Sequence, residues 1–296
     1  MFTTVKIIAA VLLATGPLRA ETPLDLAAMS LEELMNVEVN LVSRTAGSLF
    51  ASPAAVYVLT GDDIRRSGAT TIADALRLVP GMQVSRIDGN KWAISARGFN
   101  GRFAQQLLVL IDGRSVYTPL FSGVFWEVQD VLLADVERIE VVRGPGATLW
   151  GANAVNCVIN VVTRKTGETQ DNLVQAGTGT QERGFIQARH GGGLGTTGTY
   201  RVWAKGFARD ALVDATGRAA DDDWRMGRIG FRADTQHDVS KIGAAHSDVV
   251  PRDALSLMGE LYAGQSGQTY RFFVDTLPTE TQRSAYVYLS WNFRAE

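Results

Sequence analysis

His190, His237 and His246 are the histidines of this 296-residue chain, and Cys157 is its single cysteine. The histidines sit far apart in polar, glycine-rich contexts, without cysteine partners or i,i+4 spacing, so they do not compose a metal site. Cys157 has no second cysteine with which to form an internal disulfide. No G-x-S-x-G occurs, and no histidine is placed near a plausible serine or cysteine nucleophile. Residues 143–151 (RGPGATLWG) have the glycines of a phosphate-cradling loop but lack the G-K-[ST] ending that supplies the phosphate-binding lysine. Asp221, Asp222 and Asp223 offer carboxylates for calcium, but the rest of the ligand spacing is missing, and a solvated loop between strands accounts for them. Neither an enzyme, nor a resident metal, nor a cofactor is expected.

The elements around these residues speak of another kind of protein. The chain is 46% hydrophobic and 20% charged with a net charge of −2, which fits neither a disordered chain nor a basic nucleic-acid binder. No apolar run reaches the roughly 18 residues of a membrane-spanning helix, so any spanning falls to β-strands. Lys6 followed by the apolar run 7–14 (IIAAVLLA) and small residues predicts a secretory signal over 1–20. Cleavage after Ala20 leaves Leu18 as a poor −3 residue; cleavage after Gly16 fits the small-x-small rule but places Pro17 beyond the scissile bond. A periplasmic leader over 21–52 follows. In it Ser30 and Glu33 form a capping-box signature, and residues 37–42 alternate as an extended segment does.

Residues 53–166 predict a compact domain of helices and strands. A strand over 55–59 leads to a helix capped by Thr60, with Asp62 and Asp63 in its first turn. A second helix is predicted over 72–79 and ends at Pro80-Gly81. Short strands are predicted at 82–85, 93–97, 107–112, 139–143 and 158–163, with a turn over 149–153. From about residue 171 the texture changes to longer alternating segments. Ile229, Phe231 and Ala233 oppose Arg228, Arg232 and Asp234; Leu257 and Leu261 oppose Ser256, Glu260 and Tyr262; residues 284–293 alternate most cleanly. Strands of about ten residues, apolar on one face and polar on the other, suit a transmembrane β-barrel or a soluble sheet with one wet face. Residues 200–209 break the rule, since Trp203 and Phe207 share a face with Arg201 and Lys205.

Read together, three phrases resemble the plug of TonB-dependent outer-membrane receptors. They are PAAVYVLTGDDIRRSGATTIADALRLVPGMQV, ISARGFN, and the long run from LLVLIDGRSVYTPLF to VINVVTRKT, in that order over 53–166. The leader LEELMNVEV is similar to that of a subgroup of these receptors. The resemblance implies an α+β plug followed, over 167–296, by antiparallel strands of a transmembrane β-barrel in the cell outer membrane. It implies energised uptake of a metal chelate such as a siderophore or a cobalamin, with no chemistry on it. TonB with its inner-membrane energising complex, and the barrel assembly machinery, would be partners.

The ligand would meet the plug apices, where Arg86, Lys91, Trp92, Tyr117, Phe121, Phe125 and Trp126 mix aromatics with cations. Phe121, Phe125 and Trp126 serve equally well as core. Arg97, Glu137, Arg138, Glu140 and Arg143 would face the barrel wall or, alternatively, lie solvated at strand ends. TonB would add a strand to the extended segment Glu38, Val39, Asn40, Leu41, Val42. Cys157 stands where the family usually has glycine, at no cost if its φ is negative.

One quantity disagrees with the family. Residues 166–296 leave room for six or seven strands, whereas a 22-stranded transporter needs roughly 220 residues in strands alone. A plug of this size has a radius of gyration near about 13 Å, too large for a barrel of about eight strands. Residues 282–293 look like a C-terminal strand ending in the aromatic Phe293, with Arg294, Ala295 and Glu296 beyond it. An internal deletion of the middle barrel, with its junction near 265–280, accounts for the pattern. Two readings follow: a transport-incompetent receptor, or a remnant or soluble periplasmic plug-like binding module.

Overall fold

The computed structural model describes residues 55–98, 100–104, 106–118, 122–144, 150–151, 153–213, 217–238 and 252–267. It also gives the backbone pairing of 38–39, 47–48, 270–271, 276–277 and 288–294. The proposed signal, the Ser30 capping box, Asn40, Leu41, Val42 and Phe121 lie outside these residues.

In the leader, β1 (Glu38–Val39) pairs with β2 (Gly47–Ser48). The plug begins with β3 (Ala55–Thr60), which runs into helix α1 (Gly61–Ser67). Thr60 closes a capping box: its hydroxyl accepts from the Asp63 N–H at 3.1 Å, and the Asp63 carboxylate accepts from the Thr60 N–H at 3.0 Å. Gly68, at φ 71°, ends the helix in the left-handed region that glycine enters without strain. Thr71 caps α2 (Ile72–Ala75) in the same way through the Asp74 N–H. The predicted helix over 72–79 continues only as a 3-10 turn over Leu76–Leu78. Pro80 accounts for this, because the residue before a proline is driven out of the α region and Val79 adopts an extended ψ of 117°.

A hairpin of β4 (Met82–Arg86) and β5 (Trp92–Ala96) follows, then β6 (Leu107–Ile111) and β7 (Arg114–Ser115). One short pair not foreseen, β8 (Tyr117–Thr118) with β9 (Gly123–Val124), folds the segment after β7 onto itself. Strands β10 (Val136–Arg143) and β11 (Cys157–Thr163) complete the domain. The plug sheet has the order β3-β10-β11-β6-β7; β11 and β6 run parallel and the other neighbours antiparallel. Leu59, Ile64, Ile72, Leu76, Ile94, Ile139 and Ile159 fill the core between this sheet, the hairpin and the helices. Cys157 pairs with Leu107 and Arg143 and is not among the residues with positive φ, so replacing glycine there strains nothing.

The second unit is an antiparallel wall. Its strands are β12 (Asn172–Gly177), β13 (Glu182–Leu194), β14 (Gly198–Arg209), β15 (Trp224–Asp238), β16 (Arg252–Ser266) and β19 (Tyr288–Arg294), in that spatial order. A small pair, β17 (Tyr270–Arg271) with β18 (Thr276–Leu277), lies between β16 and β19 in the chain. The wall is an open sheet: among the described residues, β12 and β19 each pair on one side only.

Side chains alternate across its two faces, as strand geometry requires. Val174, Ile186, Val202, Ile229, Phe231, Leu257 and Leu261 are all exposed on the outer face. Register joins them into one apolar surface, with Val202 beside Phe231 and Ile229 beside Leu261. The plug lies on the inner face. Residues 200–209 obey the alternation after all: Arg201, Lys205, Phe207 and Arg209 are buried under the plug, while Val202 is exposed. The apparent violation arose because this inner face packs on a domain instead of water and therefore carries aromatics and cations together.

Candidate functional site

The site is the seam where the wall meets the plug. On β14, Arg201, Lys205 and Arg209 are four residues apart, so all three point inward at steps of about 13 Å. On β15, Arg228 and Arg232 do the same, and the register sets Lys205 opposite Arg228 and Arg201 opposite Arg232. Like charges directly opposite one another destabilise a strand pair. The wall therefore presents two repulsive pairs, and the plug supplies most of the neutralising acids.

Asp130 takes the first pair. Its carboxylate lies 2.8 Å from Lys205 Nζ and 4.0 Å from Arg228 Nε, and Glu260 of β16 accepts from Arg228 Nη1 at 2.5 Å. The Arg228 guanidinium also donates to the plug carbonyls of Asp130, at 2.7 Å, and Val128, at 2.9 Å. Asp135 and Asp112 of the plug take the second together with Asp234 of β15, which lies 3.0 Å from Arg232 Nε. Asp135 bonds Arg189 of β13 and stands 3.8 Å from Arg201 Nε; Asp112 stands 3.7 Å from Arg232. Arg201 further donates to Thr163 Oγ1 at 2.7 Å and to the Arg164 carbonyl at 2.6 Å. Asp130, Asp135, Lys205, Arg189, Arg201 and Arg228 are all buried. Buried pairs of this kind contribute little net stability, but losing one partner costs about 3–5 kcal/mol because the other is left charged and unpaired. Where the chain leaves the plug, Thr166 donates its N–H to Asp234 at 2.8 Å and bonds the Thr199 hydroxyl at 2.6 Å.

At the end of the wall away from this crossing, the β4–β5 hairpin meets the wall loops. Arg86 donates to the carbonyls of Asp88 and Gly89 and to Gln181, and its guanidinium lies over the Trp92 ring at 5.7 Å. Burial pulls the Arg86 pKa below its usual value, with Asp74 pushing the other way. Trp92 stacks edge-on against Trp224, which in turn meets Phe207 at 4.6 Å, and Arg209 covers Trp224. Elsewhere on the plug, Arg102 lies over Phe103 and Phe125 and pairs with Glu127.

The residues expected at the site differ in their exposure. Lys91 and Trp92, expected as exposed ligand contacts, are buried where the hairpin docks on the wall, and Trp126 is buried in the plug core. Tyr117 and Phe125 are half-buried and Arg86 is partly accessible. The five residues expected to face the wall bond to one another or to Pro80 within the plug. Arg97 donates to the Arg143 carbonyl, Arg143 to that of Pro80, and Arg138 pairs with Glu137 and Glu140. The residues that do join plug to wall carried one signal in the sequence, namely cations at intervals of four along an otherwise alternating strand.

Residues 48–158 match the TonB-dependent receptor plug domain. Over that segment the chain is similar to TonB-dependent receptors. It is 29% identical over 171 residues to the vitamin B12 transporter BtuB of Vibrio cholerae serotype O1, covering 58% of this chain and 27% of that protein. It is 28% identical over 256 residues to the same transporter of Photobacterium profundum, covering 79% of this chain and 41% of the relative. The chain thus spans well under half the length of these relatives. The ferripyoverdine receptor of the outer membrane of Pseudomonas aeruginosa shares the fold over 86% of this chain and 33% of its own, at 16% identity and a TM-score of 0.57.

Proposed function

We propose that the chain forms the plug and adjoining wall of a receptor that binds a metal chelate, such as a siderophore or a cobalamin, for TonB-dependent uptake. The protein belongs to the cell outer membrane, as its receptor relatives do. The observation that carries the reading is the two-faced wall: one face carries a band of exposed apolar side chains, as lipid demands, and the other is charged and covered by a plug. The relatives' named ligands, vitamin B12 and ferric siderophores, support the choice of ligand class. Arg86, Tyr117 and Phe125 keep the accessibility that a ligand contact needs. For TonB, residues 38–42 remain the proposed contact. Glu38 and Val39 already pair with Gly47 and Ser48, so a partner strand would add to their free edge or displace β2.

Titration of cyanocobalamin and of a ferric catecholate into the detergent-solubilised chain tests the binding role. Saturable binding of one of them, weakened about tenfold by Arg86→Ala and by Tyr117→Ala, is expected. Binding untouched by both substitutions would place the ligand elsewhere, and no saturable binding of either would remove the reading.

The open sheet favours a second reading, a non-transporting remnant or plug-like periplasmic module. Direct pairing of β16 with β19 supports a junction in the connection between them, where the middle strands of a larger wall would belong. Outer-membrane fractionation and heat-modifiable mobility separate the readings, because only a membrane-assembled sheet gives both.

A further inference from the structure

The tip of the β4–β5 hairpin is held by bonds that no ligand or ionic seam requires. Asp222, buried in the loop between β14 and β15, accepts from the Gly89 N–H at 2.5 Å with one carboxylate oxygen and from the Leu212 N–H at 2.7 Å with the other. Asn90, fully buried, donates to the carbonyl of Asp222 at 3.1 Å and to that of Gly267, just beyond β16, at 2.8 Å. Gly267 returns its N–H to the Asp223 carbonyl at 2.7 Å. The Lys91 ammonium joins Asp88, Asn90 and the Gly267 carbonyl. Two backbones approach so closely that only glycine fits. A Cβ on Gly89 would lie 2.4 Å from the Asp222 oxygen, and one on Gly267 would lie 2.1 Å from the Asp221 oxygen. Arg86 adds the loop between β12 and β13 through Gln181, at 3.1 Å.

We infer that Asp222, Asn90 and the two glycines form a joint that holds the plug hairpin and the wall loops at this end in one arrangement, so that loosening any one segment loosens the others. Asp222 and Asn90 are buried and each bonds to a different segment, and the buried Lys91 ammonium reaches the Gly267 carbonyl. Removing one leaves a carboxylate, an amide or an ammonium unsatisfied on its neighbours, so local opening cannot stay local. The use of the joint rests on the receptor reading: it makes the hairpin the part of the plug that senses what the loops contact. Asp222 and Asn90 are positioning residues in that role.

Hydrogen exchange on the full chain in detergent, without ligand, tests the joint independently of any chelate binding. Asp222→Asn and Gly89→Ala attack it from the wall and the plug side, and Arg183→Ala, which removes an exposed pair with Asp210, is the control. Each of the two variants should speed exchange about tenfold or more in all three segments, 87–91, 210–223 and around 267. Strands β10 and β11 should stay protected, and the control should change nothing. Faster exchange confined to the substituted segment, or a rise spread equally over β10 and β11, overturns the inference. Failure of the chelate titrations would leave this result standing.

Discussion

Cys157 shows how far burial alone can change a side chain. Burial pushes its pKa from 9.0 up to about 12, against the opposing pull of Arg143 and Arg97. The unfolded chain loses that proton near the lower value, whereas the folded chain keeps it until near the upper one. Below about pH 9 both states are neutral and the thiol has no effect on the pH dependence. As pH rises through the window, the unfolded state binds fewer protons and stability falls, by about 1.4 kcal/mol per pH unit from this group. Chemical denaturation of the chain and of Cys157→Ala at pH 8, 9 and 10 isolates the contribution. Wild-type stability should drop more steeply above pH 9 than that of the variant. Parallel curves for the two proteins would mean that the thiol is not shielded as its packing indicates.

At the scale of elements, the decisive feature is that the cations facing one another across β14 and β15 draw on plug acids in addition to Glu260 and Asp234 of the wall. Asp130 sits between Lys205 and Arg228, which face one another across the strands. Asp130→Asn should therefore cost about 3–5 kcal/mol, as one broken buried pair does. Lys205→Met in the same chain should recover part of that loss, since it removes one of the two cations left facing each other. A double-mutant cycle measures this: a coupling of roughly 0.5–3 kcal/mol is expected, and strict additivity would show that Asp130 does not act through the pair. The exposed pair Arg183–Asp210 should give no more than about 1 kcal/mol. The elements themselves were legible because their signals are local. Thr60 with Asp63, Thr71 with Asp74, and Pro80-Gly81 each mark a boundary within four residues, and the wall strands announce themselves by alternation. The seam was not legible for the opposite reason. Asp112, Asp130 and Asp135 lie in turns and irregular segments without periodicity, and their partners are tens of residues away in the chain. Charges on regular strands, such as Arg138 and Glu140, drew attention instead and turned out to pair with their own neighbours. The apical aromatics were half legible: mixing rings with cations marked a packed patch, but pattern alone does not tell a docked hairpin from a ligand surface.

For the whole molecule, the plug and the wall solve different problems, and only one of them is solved within the described residues. The plug's core is continuous with Phe207, Trp224 and Met226 of the wall, which help to close it. The wall buries one face against the plug and exposes an apolar one, but among the described residues its sheet ends at β12 and β19, each paired on one side only. In hydrocarbon each unpaired N–H or C=O costs several kcal/mol. Two open edges of membrane-spanning length together cost on the order of tens of kcal/mol, well beyond a domain's net stability of about 5–15 kcal/mol. Curling six strands shut would remove the edges, but so small a barrel has room only for its own side chains and would have to expel the plug. That expulsion would strand Asp130 and Asp135 and expose the cations they neutralise, so the seam itself resists it. The 296-residue chain by itself should therefore not carry a chelate across the outer membrane. Complementation of a receptor-deficient, TonB-positive strain on limiting cobalamin or iron reads this directly, and no growth above the empty-vector control is expected. Growth that is restored by the chain and lost when TonB is removed would sink the prediction. It would require further strands to complete the wall, and crosslinking between cysteines placed on β12 of one copy and β19 of another would then show whether a second copy supplies them.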